Sequence, residues 1–194
     1  MHSAFQYNQY LLKRQVLALT GKIRVYSSDG SLVLYSQQRM FRLKEDIRVY
    51  NDESRSQELL TIQARQIIDF AAAYDVVDCF TGEKVGVLRR KGWRSLLRDE
   101  WEILDPQDQP LGMLYEDNVT RALLRRLLLG SLLPQDYDII IGDTRVADLR
   151  QRLNLFRYEM DLDFSLDSNR KLDRRLGIAA AILLGIVEGR QESS

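Results

Sequence analysis

A segment rich in basic residues is the strongest candidate for chemistry in this 194-residue sequence. Guanidinium groups bind phosphate oxygens through paired hydrogen bonds, and an indole side chain suits the interface of a lipid surface. The segment therefore predicts a site for the phosphate of an anionic phospholipid headgroup. An alternative is that Asp99, Glu100 and Glu102 pair with some of these cations, whose stems then cover apolar surface. The candidate residues are Arg89, Arg90, Lys91, Trp93, Arg94 and Arg98.

A second basic segment, Asn118 to Leu133, has leucines at helical spacing and is predicted to be an amphipathic helix inserted between strands. Such a helix can lie in a membrane surface or dock a protein partner. Packing across one mouth of the predicted barrel explains the leucines equally well. The residues that would form the membrane or partner face are Arg121, Leu124, Arg125 and Leu128.

Few residues are suited to catalysis. The chain has one histidine, His2, and one cysteine, Cys79. His2 lies in a terminus expected to be flexible, so no Ser–His or Cys–His pair is expected in the ordered region. Neither a P-loop nor a dinucleotide-binding glycine motif occurs. We therefore expect no enzymatic activity and no cofactor, and we expect Cys79 to be a partly buried structural thiol within a strand.

The charges balance, because 28 acidic residues offset 28 basic ones. A neutral chain has no strong global field, so no nucleic-acid partner is expected, although local basic patches remain able to bind anions. The N-terminus has no apolar core and cleavage site typical of a signal peptide. We expect a cytoplasmic protein, with a peripheral membrane association as one option.

Pairs of alternating segments joined by turn residues predict five β-hairpins. The clearest is IRVYSSDGSLVLY, in which Asp29-Gly30 separates two alternating runs. The hairpins span residues 22–35, 46–62, 74–88, 101–115 and 137–149, and single strands are predicted at residues 10–17 and 158–166. About twelve strands would expose two sheet edges unless they closed into a barrel.

The segment Leu176 to Val187, LGIAAAILLGIV, contains no polar side chain. A helix that is apolar on every face must be enclosed, and at roughly 18 Å it is too short for a bilayer core of about 30 Å. A twelve-stranded barrel has a lumen wide enough to need filling. We therefore predict a mainly β fold, a closed barrel of about twelve strands around a central apolar C-terminal helix.

The predicted organisation is a single domain, residues 1–194. It consists of a flexible N-terminus at 1–9, strands within 10–117 and 136–166, the inserted helix at 118–133 and the central helix at 168–189, with Gly189 as its stop.

These features resemble the tubby C-terminal-like fold, in its LURP-one-related and phospholipid-scramblase branches. The resemblance rests on the hairpins IRVYSSDGSLVLY and YDVVDCFTGEKVGVL, on GVLRRKGW and WEILD, and on the apolar helix that closes the chain. It implies a barrel with a central helix. Tubby domains bind phosphoinositide headgroups, scramblases act at membranes with calcium, and most LURP-one-related proteins have no assigned activity. The proline-rich arm and the cysteine cluster of scramblases are missing from this chain.

The scramblase resemblance also places a candidate calcium segment near Asp161, Asp163 and Asp167. Alternation puts Asp161 and Asp163 on the solvent side of a strand, about 6.6 Å apart and without EF-hand spacing, so a solvated strand face is the alternative and we predict no metal. Three functions follow as hypotheses. The first is non-enzymatic binding of anionic phospholipid headgroups, the second is docking of a protein partner through the inserted helix, and the third is scramblase-like activity.

Overall fold

A computed structural model describes residues 1–15, 20–39, 46–65, 72–91, 100–116, 134–154 and 157–191, and every structural statement below refers to them. This part of the chain contains a short 3₁₀ helix, Ser3–Phe5, twelve strands and one α-helix, α1, Arg174–Gln191. The strands are β1 Gln9–Gln15, β2 Thr20–Ser27, β3 Leu32–Arg39, β4 Ile47–Tyr50, β5 Glu58–Ala64, β6 Ala73–Asp78, β7 Lys84–Arg90, β8 Glu100–Leu104, β9 Pro110–Glu116, β10 Asp136–Ile141, β11 Thr144–Arg152 and β12 Arg157–Asp163.

The strands form one closed antiparallel barrel in which each strand pairs with its neighbours in sequence. Closure comes from β1, which pairs with β2 on one side and with β12 on the other; Leu12, for example, lies opposite both Val25 and Met160. The predicted fold class and the five hairpins are confirmed. In the Asp-Gly turn, Gly30 has a φ of 83°, and Asp29 Oδ1 accepts a hydrogen bond from the Ser31 N–H.

The barrel has two different ends. The turn end carries the short connections β2–β3, β6–β7 and β10–β11 and the start of α1. The far end is the one at which β1, β7, β9 and β11 finish and β12 begins. Because the chain is antiparallel throughout, residues near the ends of β1 and β7 share the far end with the start of β12.

The helix α1 occupies the inside of the barrel. Every side chain from Arg174 to Val187 is buried, and the helix contacts β1, β2, β6, β7 and β12. Close approach to β7 requires glycine at position 86, because a Cβ there would lie 2.9 Å from Leu176 Cδ2 and 2.6 Å from the Leu104 carbonyl oxygen. The apolar helix therefore fills the lumen, as the sequence predicts.

The predicted helix boundaries are corrected at both ends. The helix begins at Arg174 rather than at residue 168, and it continues past Gly189 to Gln191. Asp167 accepts hydrogen bonds from the N–H groups of Lys171 and Leu172, which folds the preceding residues into a loop. Asp173 is the N-cap, because its Oδ1 accepts from the Arg175 N–H at 2.9 Å.

The expected flexible N-terminus is also corrected. Residues Ser3–Phe5 form the 3₁₀ helix, and Ala4 and Phe5 are 4% and 1% exposed within the core. The Tyr10 hydroxyl donates to the Ala4 carbonyl at 3.0 Å, and burial raises the pKa of Tyr10 to about 12. The apolar side chain of Phe5 therefore holds this segment against the turn end.

One strand ends earlier than predicted, and one residue expected in a strand lies outside it, because in each case an aspartate starts a turn. β6 ends at Asp78, whose Oδ1 accepts from the Phe80 and Thr81 N–H groups, so Cys79 is exposed outside the strand instead of partly buried within it. β12 ends at Asp163 rather than at residue 166, because Asp163 Oδ1 accepts from the Ser165 N–H at 2.7 Å. Both turns are of the Asx type.

Two glycines of α1 allow a matched test of how tightly the helix is packed. A Cβ at Gly177 would lie 2.6 Å from Phe164 Cε1, whereas a Cβ at Gly185 would lie 3.3 Å from Tyr158 Cε1. Both alanine substitutions gain the same helix propensity, so we expect Gly177→Ala to be about 1 to 3 kcal/mol less stable than Gly185→Ala. Urea denaturation measures the difference, and equal stabilities would contradict the close approach at Gly177.

Candidate functional site

The predicted basic segment is only partly described, and its described cations already have partners. Arg89 lies directly opposite Glu102 on β8, and Arg89 Nη2 is 2.5 Å from Glu102 Oε2. Lys91 Nζ is 3.4 Å from the other oxygen of the same carboxylate. Burial raises the pKa of Glu102, but the two cations outweigh it and hold that pKa below its usual value. The Glu102 carboxylate therefore forms ion pairs with two of the predicted phosphate-binding residues.

Arg90 has a different environment from its two neighbours. Its guanidinium carbon lies 5.9 Å from the centre of the Trp101 ring, a cation–π distance, and Trp101 is 3% exposed. Trp93, Arg94 and Arg98 lie outside the described residues. The described side chains of this segment are thus held by Glu102 and Trp101 and do not converge on one open site.

The remaining predicted positions are placed as follows. The inserted helix, with Arg121, Leu124, Arg125 and Leu128, lies outside the described residues. The candidate calcium residues have other partners: Asp161 pairs with Arg152, Asp163 accepts from Gln9 Nε2, and Asp167 pairs with Arg174. Among the described residues no group of three or more histidine, cysteine or acidic side chains is placed to hold a metal ion.

A different basic site lies where β1 pairs with β12 and β2. It is a cleft of about 270 Å³ across β12, β1 and β2, towards the far end. Register explains the arrangement: Gln15 lies opposite Arg157, and Lys13 lies opposite Arg24. The lining residues are Lys13, Arg14, Gln15, Arg24, Tyr26 and Arg157, which include four cations. We call this site the β1 cleft.

The four cations of the β1 cleft are held to different degrees. Arg24 forms a two-point pair with Glu53, at 2.6 and 3.2 Å, which also holds the pKa of Glu53 below its usual value. Lys13 Nζ lies 5.4 Å from the centre of the Tyr26 ring and 3.9 Å from Glu159. Buried Arg14 stacks on Tyr158 at 5.3 Å. Arg157 is exposed, and within the described part of the chain no carboxylate is found in ion-pair contact with it.

The connection from β11 to β12 carries an exposed apolar group at the same end of the barrel as the cleft. Leu153, four positions before Arg157, is 70% exposed. Membrane-docking surfaces combine accessible cations with exposed apolar side chains. The far end of the barrel therefore carries both the β1 cleft and an exposed apolar side chain.

Sequence reasoning did not find the β1 cleft. Its cations come from positions 13, 14, 24 and 157, so no window of sequence contains them. The available signal was indirect, since alternation puts Lys13 and Arg24 on the outer wall, and closure of the barrel puts β12 beside β1.

The fold and the β1 cleft define a tubby-like barrel protein with a basic surface site. A model of the LURP-one-related family matches residues 32–185, most of the chain, and the protein belongs to that family. No curated protein and no solved structure matches the chain. Within the described residues, no helix combines the length and the apolar character that crossing a membrane requires.

Proposed function

We propose that this LURP-one-related protein is a non-enzymatic binding protein that docks on anionic phospholipid headgroups at the cytoplasmic surface of a membrane. The observation that carries the proposal is the β1 cleft, where the exposed Arg157, which has no ion-pair partner among the described residues, lies together with Lys13 and Arg24. Phosphate oxygens accept paired hydrogen bonds from guanidinium groups, and such charge-assisted bonds are stronger than neutral ones. The cleft is therefore chemically suited to a phosphorylated headgroup.

The charge balance of the chain shapes how such binding works. Net charge is zero, so attraction to a lipid surface must come from local clusters of cations such as the cleft. Surface charges are screened beyond about 8 Å at physiological salt, so the headgroup must approach Arg157 and Lys13 closely. We expect binding that weakens as salt is added and that requires anionic lipid.

Vesicle flotation tests the proposal. Vesicles contain phosphatidylcholine alone or with phosphatidylserine or a phosphoinositide, each with and without calcium. The double variant Lys13→Gln/Arg157→Gln removes the two most accessible cations of the cleft. Each basic group near an anionic surface contributes about 1 kcal/mol, so we expect affinity for anionic vesicles to fall roughly ten- to thirty-fold.

A matched control removes two other cations. Arg48 and Lys84 lie on other strands, with side chains 57% and 32% exposed, and pair with Glu58 and Asp108. Arg48→Gln/Lys84→Gln lowers the net charge by the same amount as the cleft variant, but we expect it to retain binding. Equal losses in both variants, or no flotation with any lipid, would overturn the assignment to the β1 cleft.

The Arg89–Arg98 segment is retained as a second proposed contact, because β7 ends at the same far end of the barrel as β1. The variant with Arg89, Arg90 and Arg94 replaced by alanine tests it in the same assay. A loss additive with that of the cleft variant would indicate two contacts, and an unchanged affinity would exclude this segment. Partner docking through residues 118–133 and lipid scrambling draw no support from the described residues.

A further inference from the structure

The turn end of the barrel contains a cavity that the proposed function does not use. It measures about 380 Å³ and lies between the N-terminal segment, the β6–β7 turn and the first turn of α1. Its apolar lining includes Phe5, Leu59 and Phe80, and its charged lining includes Asp78, Glu83 and Arg175. The volume falls within the range of small-molecule sites, which are mostly apolar with a few placed polar groups.

The single arginine of the cavity is already neutralised. Arg175 Nη1 donates to Asp78 Oδ2 at 2.7 Å, and Arg175 Nη2 donates to Asp173 Oδ2 at 2.6 Å. Glu83 approaches the same guanidinium at 3.6 Å. Three carboxylates thus surround one cation. Because these carboxylates outnumber the one guanidinium, an anionic ligand would find Arg175 already paired.

Of the two acidic residues that line the cavity, Glu83 is the more available. Asp78 is 5% exposed, and its two oxygens already accept from Arg175 and from the Phe80 and Thr81 N–H groups. The Glu83 side chain is 59% exposed and meets Arg175 only at the longer distance of 3.6 Å. Glu83 can therefore accept hydrogen bonds from a bound cation without breaking the contacts that hold α1.

Phe80 gives the cavity an aromatic side chain that is not packed in the core. It is 86% exposed at the β6–β7 turn, whereas Phe5 and Leu59 are 1% and 2% exposed and form the enclosed side. An aromatic face attracts ammonium groups, and the neighbouring carboxylate strengthens that preference. His2 also lines the cavity, and its Nδ1 accepts from the Ala4 N–H at 3.2 Å.

We propose that this cavity binds a small organic cation with an apolar body, with the ammonium group between Glu83 and Phe80 and the apolar body against Phe5 and Leu59. The site lies at the end of the barrel where α1 begins, whereas the β1 cleft lies towards the other end. It requires a ligand of the opposite charge to a phospholipid phosphate. The two sites are therefore independent, and failure of one leaves the other standing.

Three probes of similar size and different charge test the inference. They are benzylammonium, benzyl alcohol and benzoate, titrated at neutral pH into the full chain and followed by calorimetry and by the backbone amide signals of residues 80–84. We expect saturable binding of the cation with shifts at these amides, weaker binding of the alcohol and none of benzoate. Benzoate binding as tightly as the cation, or no probe shifting these amides at millimolar concentration, would overturn it.

Variants on the exposed side of the cavity locate the site. Glu83→Gln removes the accessible carboxylate, and we expect a roughly tenfold loss of affinity for benzylammonium. Phe80→Ser removes the aromatic face, and we expect a roughly threefold loss. Both side chains are largely exposed, so the fold is retained, and far-ultraviolet circular dichroism checks this.

Matched controls come from the same end of the barrel. Asp143→Asn removes an exposed carboxylate in the β10–β11 turn, and Leu166→Ser removes an apolar side chain that is 53% exposed. Both should leave the affinity of the cation unchanged. Retained affinity in Glu83→Gln and Phe80→Ser, or equal losses in the controls, would show that the cation binds elsewhere and would overturn the proposal.

Discussion

Replacing Asp167 by alanine is expected to lower the free energy of unfolding by about 3 to 5 kcal/mol, because it leaves a buried cation unpaired. The Asp167 and Arg174 side chains are 1% and 5% exposed, and their ion pair measures 2.9 Å. The same carboxylate accepts from the N–H groups of Lys171 and Leu172. Without it, the Arg174 guanidinium keeps only hydrogen bonds of 3.4 and 3.5 Å and its contact with the Phe164 ring.

An exposed ion pair in the adjacent strands is the control. Arg152 Nε lies 2.7 Å from Asp161 Oδ2, but the two side chains are 52% and 39% exposed. Asp161→Ala should therefore cost less than about 1 kcal/mol. Asp167→Asn keeps one acceptor oxygen and should fall between the two. Guanidinium denaturation measures all three, and equal costs for Asp161→Ala and Asp167→Ala would contradict the buried position of Asp167.

The second large effect concerns the enclosure of α1. Ile182, Leu183 and Leu184 are consecutive, so they point to three different sides of the helix, and they are 0%, 1% and 3% exposed. Each single alanine substitution should cost about 2 to 5 kcal/mol, because each opens a cavity against the barrel wall. A helix lying on an outer surface would instead tolerate at least one of the three changes.

Thermal or urea unfolding of the three variants measures these costs. Leu166→Ala is the control, since that side chain is 53% exposed and its truncation should change stability by no more than about 0.5 kcal/mol. If any of the three helix variants were as stable as Leu166→Ala, α1 could not be surrounded by the barrel on all sides.

Much of the fold follows from local signals. The hairpin β2–β3 depends on alternation and on an Asp-Gly turn, both contained in thirteen residues of sequence, and the structure pairs Val25 with Leu34 across it. The apolar segment of α1 excludes any solvent-exposed position, which predicts enclosure before any coordinates are known. These features were predictable because backbone preference and side-chain burial act over a few residues.

The errors lie where a polar side chain redirects the chain. Asp78, Asp163 and Asp167 each accept backbone hydrogen bonds that stop a strand or delay a helix. An aspartate in an alternating pattern looks the same whether it faces solvent or caps a turn, so its role depends on the local backbone conformation. The N-terminal segment was misread for a related reason, because Phe5 is buried by a surface that distant residues build.

For the basic residues too, local sequence predicts less than the tertiary structure shows. Clustering in sequence indicated Arg89 and Lys91, yet the register of β7 and β8 places Glu102 against both. The β1 cleft has no sequence cluster at all, because Lys13, Arg24 and Arg157 meet only when β1 pairs with β2 and β12. Charge partners across a sheet are set by register, and register is a property of the whole barrel.

Periodicity and turn chemistry are local, so the amino-acid sequence is enough to predict the hairpins and the need to enclose an apolar helix. Which charges remain accessible depends on tertiary contacts. Arg175 pairs with Asp78 at one end of the barrel, and Arg157 lies beside Lys13 near the other end. Whether a charged side chain is neutralised or available depends on contacts between residues far apart in the chain, and only closure of the barrel creates those contacts.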